Sequence, residues 1–443
     1  MRSVLAYVKL HFQSLLSIAI RAASVLAGFV ITYYIGHNFG PLANGQYALI
    51  AQTAMFLSIV AVGGMDLAVV RYFSATVAFK VPLGRLSLLR ALAYSLGAAA
   101  VIVAFLGVTH SFILQMLFRT YMPPHGVMIL ATLLGVRTAT RLTAAVLRSQ
   151  GRHLVAQTVE VLSIPGWVAL LLVLRVIESL QEVLYATAAV GLLTAAFAVL
   201  RSFYFTSSSR DALDVPLRSL FRTSLPLWLT AIALNIADWY SLATAAATLG
   251  VYDAGLYRVA FQIGTALSFS AMGMHNVFTA QISAAVAVHD IDRVAKLARS
   301  VTRLSIGLLL PVVVLLFAGA DTLLGFIGPE FRAAAPLLEI FVASQLIYLS
   351  TGPAGLILAM TGHERLNLAI SSSVTGGLLV LAPLAANFYG LFGLAVLTAC
   401  VPVCGNLANV IAVWRLEKIN ILTGRYFGAP RVRDFGHSAT SGA

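Results

Sequence analysis

The sequence predicts an all-α polytopic membrane protein with twelve transmembrane helices, arranged as two six-helix bundles in a parallel repeat around a central cavity. Composition is the first observation. The 443 residues are 60% hydrophobic and only 10% charged, with a mean hydropathy of +0.91. Soluble domains carry about 25% charged residues. A surface this apolar needs lipid as its solvent. The second observation is repetition. Gly40-x4-Gly45-x-Tyr47 returns as Gly250-x4-Gly255-x-Tyr257, and Ser14-Leu15 returns as Ser224-Leu225, each 210 positions on. Gly151 and Gly362, each just after an apolar stretch, are 211 apart. Landmarks that keep one offset across half a chain indicate duplication. The third observation is where the charges lie.

A membrane crossing takes about 20 apolar residues. The first such stretch, 13–35, is long, contains Arg21 and lacks a small-residue cleavage end, so it reads as a retained span. The stretches 46–69, 86–108, 125–147, 153–175 and 183–204 complete the first bundle, and Gly36 and Gly151 punctuate its turns. A polar stretch with Ser207-Ser208-Ser209 follows and reads as a cytoplasmic linker over 206–220. The stretches 222–248, 255–284, 302–320, 334–360, 366–387 and 391–414 form the second bundle, with Gly250 and Gly362 at equivalent turns. The organisation is thus bundle 1–205, linker 206–220, bundle 221–418 and tail 419–443. The tail has no apolar period and is expected to be disordered.

Charge tests this count. The net charge is +13, with 29 Lys and Arg. Arg119, Arg175 and Arg332 fall in outer loops, and Arg21, Arg137, Arg141 and Arg258 fall inside spans. All the others lie on the side occupied by both termini. That asymmetry predicts N-terminus and C-terminus in the cytoplasm and an even number of spans. Six spans per half return the chain to its starting side, so the repeat is parallel rather than inverted. The basic charge therefore orients the chain in a membrane, and no nucleic-acid partner is expected. Cys400 and Cys404 share a helix face, but two thiols without nearby His or Asp suit packing better than metal.

The longest outer loop, 109–124, leaves no room for the catalytic domain of a polymerase or ligase. No P-loop, dinucleotide fingerprint or His-rich cluster is present, so no cofactor or enzymatic activity is expected. The runs Tyr34-Ile35-Gly36-His37-Asn38-Phe39-Gly40-Pro41 and Gly45-Gln46-Tyr47-Ala48-Leu49 resemble the first outer loop of polysaccharide-exporting flippases. Gly63-Gly64-Met65-Asp66 with Val70-Arg71-Tyr72-Phe73, and Leu358-Ala359-Met360-Thr361-Gly362-His363, resemble later segments of the same proteins. The chain thus resembles the Wzx-type flippases of the multidrug/oligosaccharidyl-lipid/polysaccharide exporter superfamily. The resemblance implies a V-shaped pair of bundles in a bacterial inner membrane, opening alternately to either face. It implies a polyprenyl-pyrophosphate-linked oligosaccharide as cargo, membrane lipid around its tail, and a proton or sodium gradient as the candidate energy source. One chain encloses the cavity, so a monomer suffices.

Such cargo needs cations for the pyrophosphate, and the planar guanidinium fork suits phosphate oxygens. The candidates are Arg21, Arg137, Arg141 and Arg258, each costing at least ~2.5 kcal/mol inside the bilayer. Arg21 either snorkels to the cytoplasmic surface or lines the cavity. Arg137 is too deep to snorkel. Arg141, one turn on, either contacts cargo or pairs with Glu160 across the turn at Gly151. Arg258 lies one turn inside the outer edge, where snorkelling competes with binding. For ion coupling the candidates are Asp238, mid-helix, and Glu160; helix packing is the alternative for Asp238. Asp66 is expected to pair with Arg71 near the cytoplasmic rim. Tyr33, Tyr34, Trp228, Trp239 and Tyr240 could stack on sugars, although belt or core packing is the commoner use. At the repeat offset Arg21, Arg258 and Asp238 face Ala231, Ala48 and Gly28, so the charges did not follow the duplication. A drug or organic-cation antiporter of the same superfamily is the competing expectation.

Overall fold

The computed structural model describes residues 2–79, 81, 83–109, 117, 122–207, 212, 214–288 and 290–427. Most of the outer loop, Ser208 and Ser209 of the linker, and the tail beyond 427 lie outside the described residues. Every predicted apolar segment is helical. The helices are α1 Arg2–Val62, α2 Met65–Phe79, α3 Arg85–Val108, α4 Gly126–Ser149, α5 His153–Gln157, α6 Ser163–Val173, α7 Leu180–Phe203 and α8 Leu217–Thr248. They continue as α9 Val251–Ala287, α10 Ile291–Ala318, α11 Ala320–Ile327, α12 Ala335–Ser350, α13 Ala354–Met360 and α14 Glu364–Glu417. Among the described residues, eight helical segments are long and apolar enough to cross a membrane, or nine with a bent one. Two of the eight, α1 and α14, are each two helices joined at a turn, at Gly40 and Gly390.

The duplicated glycines turn the chain. Gly40 and Gly250 have φ of 77° and 121°, and a Cβ on either would meet nothing within 4 Å. Left-handed backbone, not crowding, is what asks for glycine there. Gly151 and Gly362 repeat the arrangement at the second pair of turns. The second repeated pair is used differently. A Cβ on Gly45 would stand 2.0 Å from the Val251 carbonyl oxygen, and one on Gly255 would stand 1.9 Å from that of Pro41. The contact is reciprocal, since Pro41 and Val251 are also 210 positions apart. Backbone therefore meets backbone where the second and eighth predicted spans begin.

Three predicted spans are interrupted. The second, expected to run unbroken over 46–69, stops at Gly63–Gly64, both left-handed (φ 61° and 73°). The tenth breaks at Thr351–Pro353, where Gly352 is left-handed and Pro353 has no N–H to donate. The fifth changes its winding between α5 and α6. At 158–162 it takes one wide turn, in which the Ser163 N–H reaches the Thr158 carbonyl five residues back.

The chain packs as two units. The first comprises residues 1–263, 319–339 and 378–398. One part of its core joins Ile31, Ile35, Val136, Ile164, Val168 and Val183, the inward faces of α1, α4, α6 and α7. Another joins Met65, Phe73, Leu88, Leu142, Val146 and Leu220. The linker is anchored here rather than loose. Thr206–Ser207 (β2) pairs in parallel with Leu83–Gly84 (β1). Asp214 accepts from the Ser87 hydroxyl at 2.6 Å and from Arg90 at 3.0 Å.

The second unit comprises 264–318, 340–377 and 399–443, with Val294, Ala298, Ile357, Leu358, Val413 and Ile421 in its core. Asn406 repairs the break at Gly352. Its amide donates to the carbonyls of Tyr348 and Gly352 at 3.2 and 3.0 Å. Ile419–Asn420 (β3) pairs antiparallel with Arg425–Tyr426 (β4). Order thus extends past 419, where the tail was expected to begin, because Ile419 and Ile421 bury themselves in this core. Cys400 and Cys404 are exposed rather than packed.

Candidate functional site

The wide turn in the fifth span has a cause in sequence. Pro165 cannot donate to the carbonyl four residues earlier, that of Val161. Ser24 of α1 supplies the missing donor at 2.9 Å, and the Ser163 hydroxyl donates to Thr158 at 2.9 Å. One turn below, Ser17 and Gln157 bond reciprocally, at 2.6 and 2.9 Å. Ser17, Arg21 and Ser24 form one stripe of α1, so Arg21 lies on the face that docks against the segment carrying Glu160. Arg21 is exposed, and among the described residues no hydrogen bond or ion pair holds it.

The expected Arg141–Glu160 pair does not form. Glu160 bonds Arg148 instead, both half-buried. Arg148 is the last arginine of α4, one turn from the reversal at Gly151, so it reaches back most directly. Arg141 gives its Nε–H to Asp66 at 2.8 Å. Asp66 is 5% exposed and not paired with Arg71, because the Gly63–Gly64 turn sets it in the first turn of α2, facing α4. Its other oxygen accepts the Leu67 N–H at 3.0 Å, where the helix dipole favours a negative charge. Arg141 is thereby neutralised inside the scaffold.

Arg137 and Arg258 meet a different environment. Both are half-buried, and neither makes an ion pair among the described residues. Both lie within electrostatic reach of the Tyr47 phenol, which is hydrogen-bonded to Thr187 of α7. Arg137 also feels Glu160. Arg258 also feels Asp238 and Tyr257. Tyr257 is fully buried and donates to Thr398 at 3.1 Å, which donates in turn to Ser241. Asp238 is exposed. Its neighbour Trp239 is fixed by stacking on Phe56, with ring centroids 4.6 Å apart, and by donating to Thr53 at 3.1 Å.

The structure thus leaves Arg137 and Arg258 within electrostatic reach of Tyr47, and Arg258 and Asp238 within reach of Tyr257, while it pairs Arg141 with Asp66 and ties Glu160 to Arg148. Tyr47, Thr187 and Tyr257 were not singled out from sequence as site residues. Their signal was there: Tyr47 and Tyr257 are the aromatic members of the repeated motif. Of the other aromatics, Tyr33 stacks on His37 and Tyr34 donates to the Ile177 carbonyl. The Trp228 N–H is buried and has no partner among the described residues.

No family model matches the chain, and no curated protein is similar to it in sequence. Solved structures are similar in fold. An inward-facing multidrug resistance MATE family transporter of the MOP superfamily superposes with a TM-score of 0.67 at 15% identity, covering 91% of this chain and 99% of that one. The lipid II flippase MurJ in an inward closed conformation gives 0.65 at 13% identity, covering 90% and 87%. A MOP superfamily transporter from Pyrococcus furiosus gives 0.56 at 15% identity, covering 93% of each chain. With its apolar helices and these neighbours, the chain is a multi-pass membrane protein with the all-α fold of the MOP superfamily transporters.

Proposed function

We propose that the chain is a flippase for polyprenyl-pyrophosphate-linked oligosaccharides. It moves them from the inner to the outer leaflet of a bacterial cytoplasmic membrane by alternating access, with both termini in the cytoplasm. The observation that carries this reading is the pair Arg137 and Arg258, from different halves of the sequence, both within electrostatic reach of Tyr47 and without an ion-pair partner among the described residues. Two such guanidinium groups match an anionic headgroup with two phosphates. Arg21, exposed on the stripe beside the Glu160 segment, supplies a third cation on the cytoplasmic side. Arg141, held by Asp66, serves the scaffold. Asp238 is the ion-coupling carboxylate, because Glu160 already has Arg148. The lipid II flippase among the structural neighbours supports a lipid-linked anion as cargo.

A second reading, an organic-cation antiporter, draws on the exposed Asp238 and on the multidrug transporter among the neighbours. Reconstitution separates the two. Proteoliposomes are loaded with a fluorescent undecaprenyl-pyrophosphate oligosaccharide, and flipping is followed by quenching of the outer leaflet. Arg137→Ala and Arg258→Ala should each slow flipping about tenfold or more, the loss of at least ~1.5 kcal/mol of charge-assisted bonding. Arg137→Lys should retain more activity than Arg137→Ala. Asp238→Asn should remove the dependence on an imposed gradient. A parent protein that leaves the lipid in place and exports ethidium through Asp238 would establish the second reading.

A further inference from the structure

A groove of about 480 Å³ opens between α6 and α7, lined by Ser163, Trp167 and Leu171 on one side and Val190, Leu193 and Phe197 on the other. Trp167 is 58% exposed, Leu193 73% and Phe197 54%. Both walls belong to segments long and apolar enough to cross a membrane, where exposed apolar side chains suit hydrocarbon. The stretch Ser163 to Leu171 gives the groove a length of about 12 Å along the helix.

The groove shares a helix face with the cation cluster. Thr187, Val190, Gly191 and Thr194 follow one another at helical spacing on α7. Thr187 bonds Tyr47, which is within electrostatic reach of Arg137 and Arg258. Val190 and Thr194 line the groove. Between them, Gly191 lets three helices meet: a Cβ there would stand 2.9 Å from Val136 of α4 and 3.7 Å from Ile164 of α6. Val136 precedes Arg137 in the chain, and Ile164 follows the groove residue Ser163. The wide turn at Pro165 shapes this wall as well, because it sets Ser163 and Trp167 one residue out of register with Glu160.

We propose that this groove holds the first isoprene units of the cargo's polyprenyl chain, so that the lipid tail leaves the protein between α6 and α7 while the pyrophosphate stays with Arg137 and Arg258. The assignment rests on the flippase reading above. A phospholipid acyl chain would find the same apolar walls. Only a lipid whose headgroup the neighbouring cations hold would be fixed there, because its tail is tethered at one end of the stripe.

Photolabelling of the full-length protein in proteoliposomes tests this. One probe is a polyprenyl-pyrophosphate disaccharide with a diazirine in its second isoprene unit, and the other is a phosphatidylethanolamine with a diazirine in its acyl chain. The polyprenyl probe should label peptides containing 163–171 and 190–197, and excess unlabelled polyprenyl-pyrophosphate disaccharide should suppress that labelling at least fivefold. Thr194→Phe should raise the KM for the long-chain cargo several-fold, while binding of a water-soluble methyl-pyrophosphate disaccharide, which carries no isoprene unit, stays unchanged. Equal labelling of the groove by both probes, or polyprenyl labelling elsewhere, overturns the inference. If the methyl-pyrophosphate compound still binds in an Arg137-dependent way, only the groove assignment falls. If it does not bind at all, the flippase reading falls with it.

Discussion

The Asp66 carboxylate is buried at the start of α2, and one of its oxygens holds Arg141. Arg141→Ala would strand that charge, and removing one partner of a buried pair costs about 3 kcal/mol. We expect the variant to melt several degrees lower in detergent, and Asp66→Asn in the same chain to recover part of the loss. Arg137→Ala should leave the melting temperature unchanged or raise it, since no ion pair is lost. Parallel thermal scans of the two alanine variants check this contrast. If both destabilise equally, Arg137 is a scaffold residue too. Depth, which hydropathy gives, was enough to single out these arginines. Direction was not legible. Arg137 and Arg141 are one turn apart on α4, yet Arg141 bonds a carboxylate from α2 while Arg137 has no ion-pair partner among the described residues. The choice depends on which helices flank α4, and no local pattern encodes that.

At the scale of elements, the apolar segments were legible because each stretch must hydrogen-bond its own backbone in lipid, but their ends were not: the helices of the first and ninth stretches begin at Arg2 and Ile291, well ahead of residues 13 and 302. The interruptions were less so. Gly63–Gly64 and Gly352–Pro353 carry familiar breaking residues, but a run of hydropathy passes over them. The wide turn at 158–162 needed knowledge of Ser24, which is 137 positions from Val161. Pro165→Ala would restore a donor for the Val161 carbonyl and let the span close into regular helix. We expect this variant to melt higher than the parent but to transport more slowly, because Glu160 and Ser163 would rotate relative to each other. Unchanged transport would show that the turn is incidental. The glycines give a second contrast. Gly40→Ala should cost about 1–3 kcal/mol yet leave the chain folded, because φ 77° with ψ −176° is backbone that essentially only glycine adopts. Gly45→Ala should prevent stable folding, because its methyl would lie inside the van der Waals radius of the Val251 oxygen. Expression and gel filtration of the two variants distinguish these outcomes.

For the whole molecule, the duplication was legible in sequence and reappears as backbone conformation. The paired glycines Gly40 and Gly250, and Gly151 and Gly362, all take positive φ. The packing of segments such as 319–339 and 378–398 with the first half was not legible, since it depends on contacts far apart in the chain. We propose that the sequence halves 1–205 and 221–418 remain folding modules. Co-expressed as separate chains, they should copurify and flip lipid, and Gly255→Val in the second should abolish copurification. Retention of the pair despite that change would place the principal adhesion elsewhere.

The reciprocity of the Gly45 and Gly255 contact bears on ancestry. When residue i of one body touches residue j of another while j of the first touches i of the second, the interface is self-complementary, as in a twofold homodimer. Before tandem fusion, one gene product of six helices could have made this seam with its own copy. Joining the copies in one polypeptide then freed each to mutate separately, so Arg21 could arise in one copy and Asp238 and Arg258 in the other, each without a counterpart at the repeat offset, while the backbone seam between them stayed fixed.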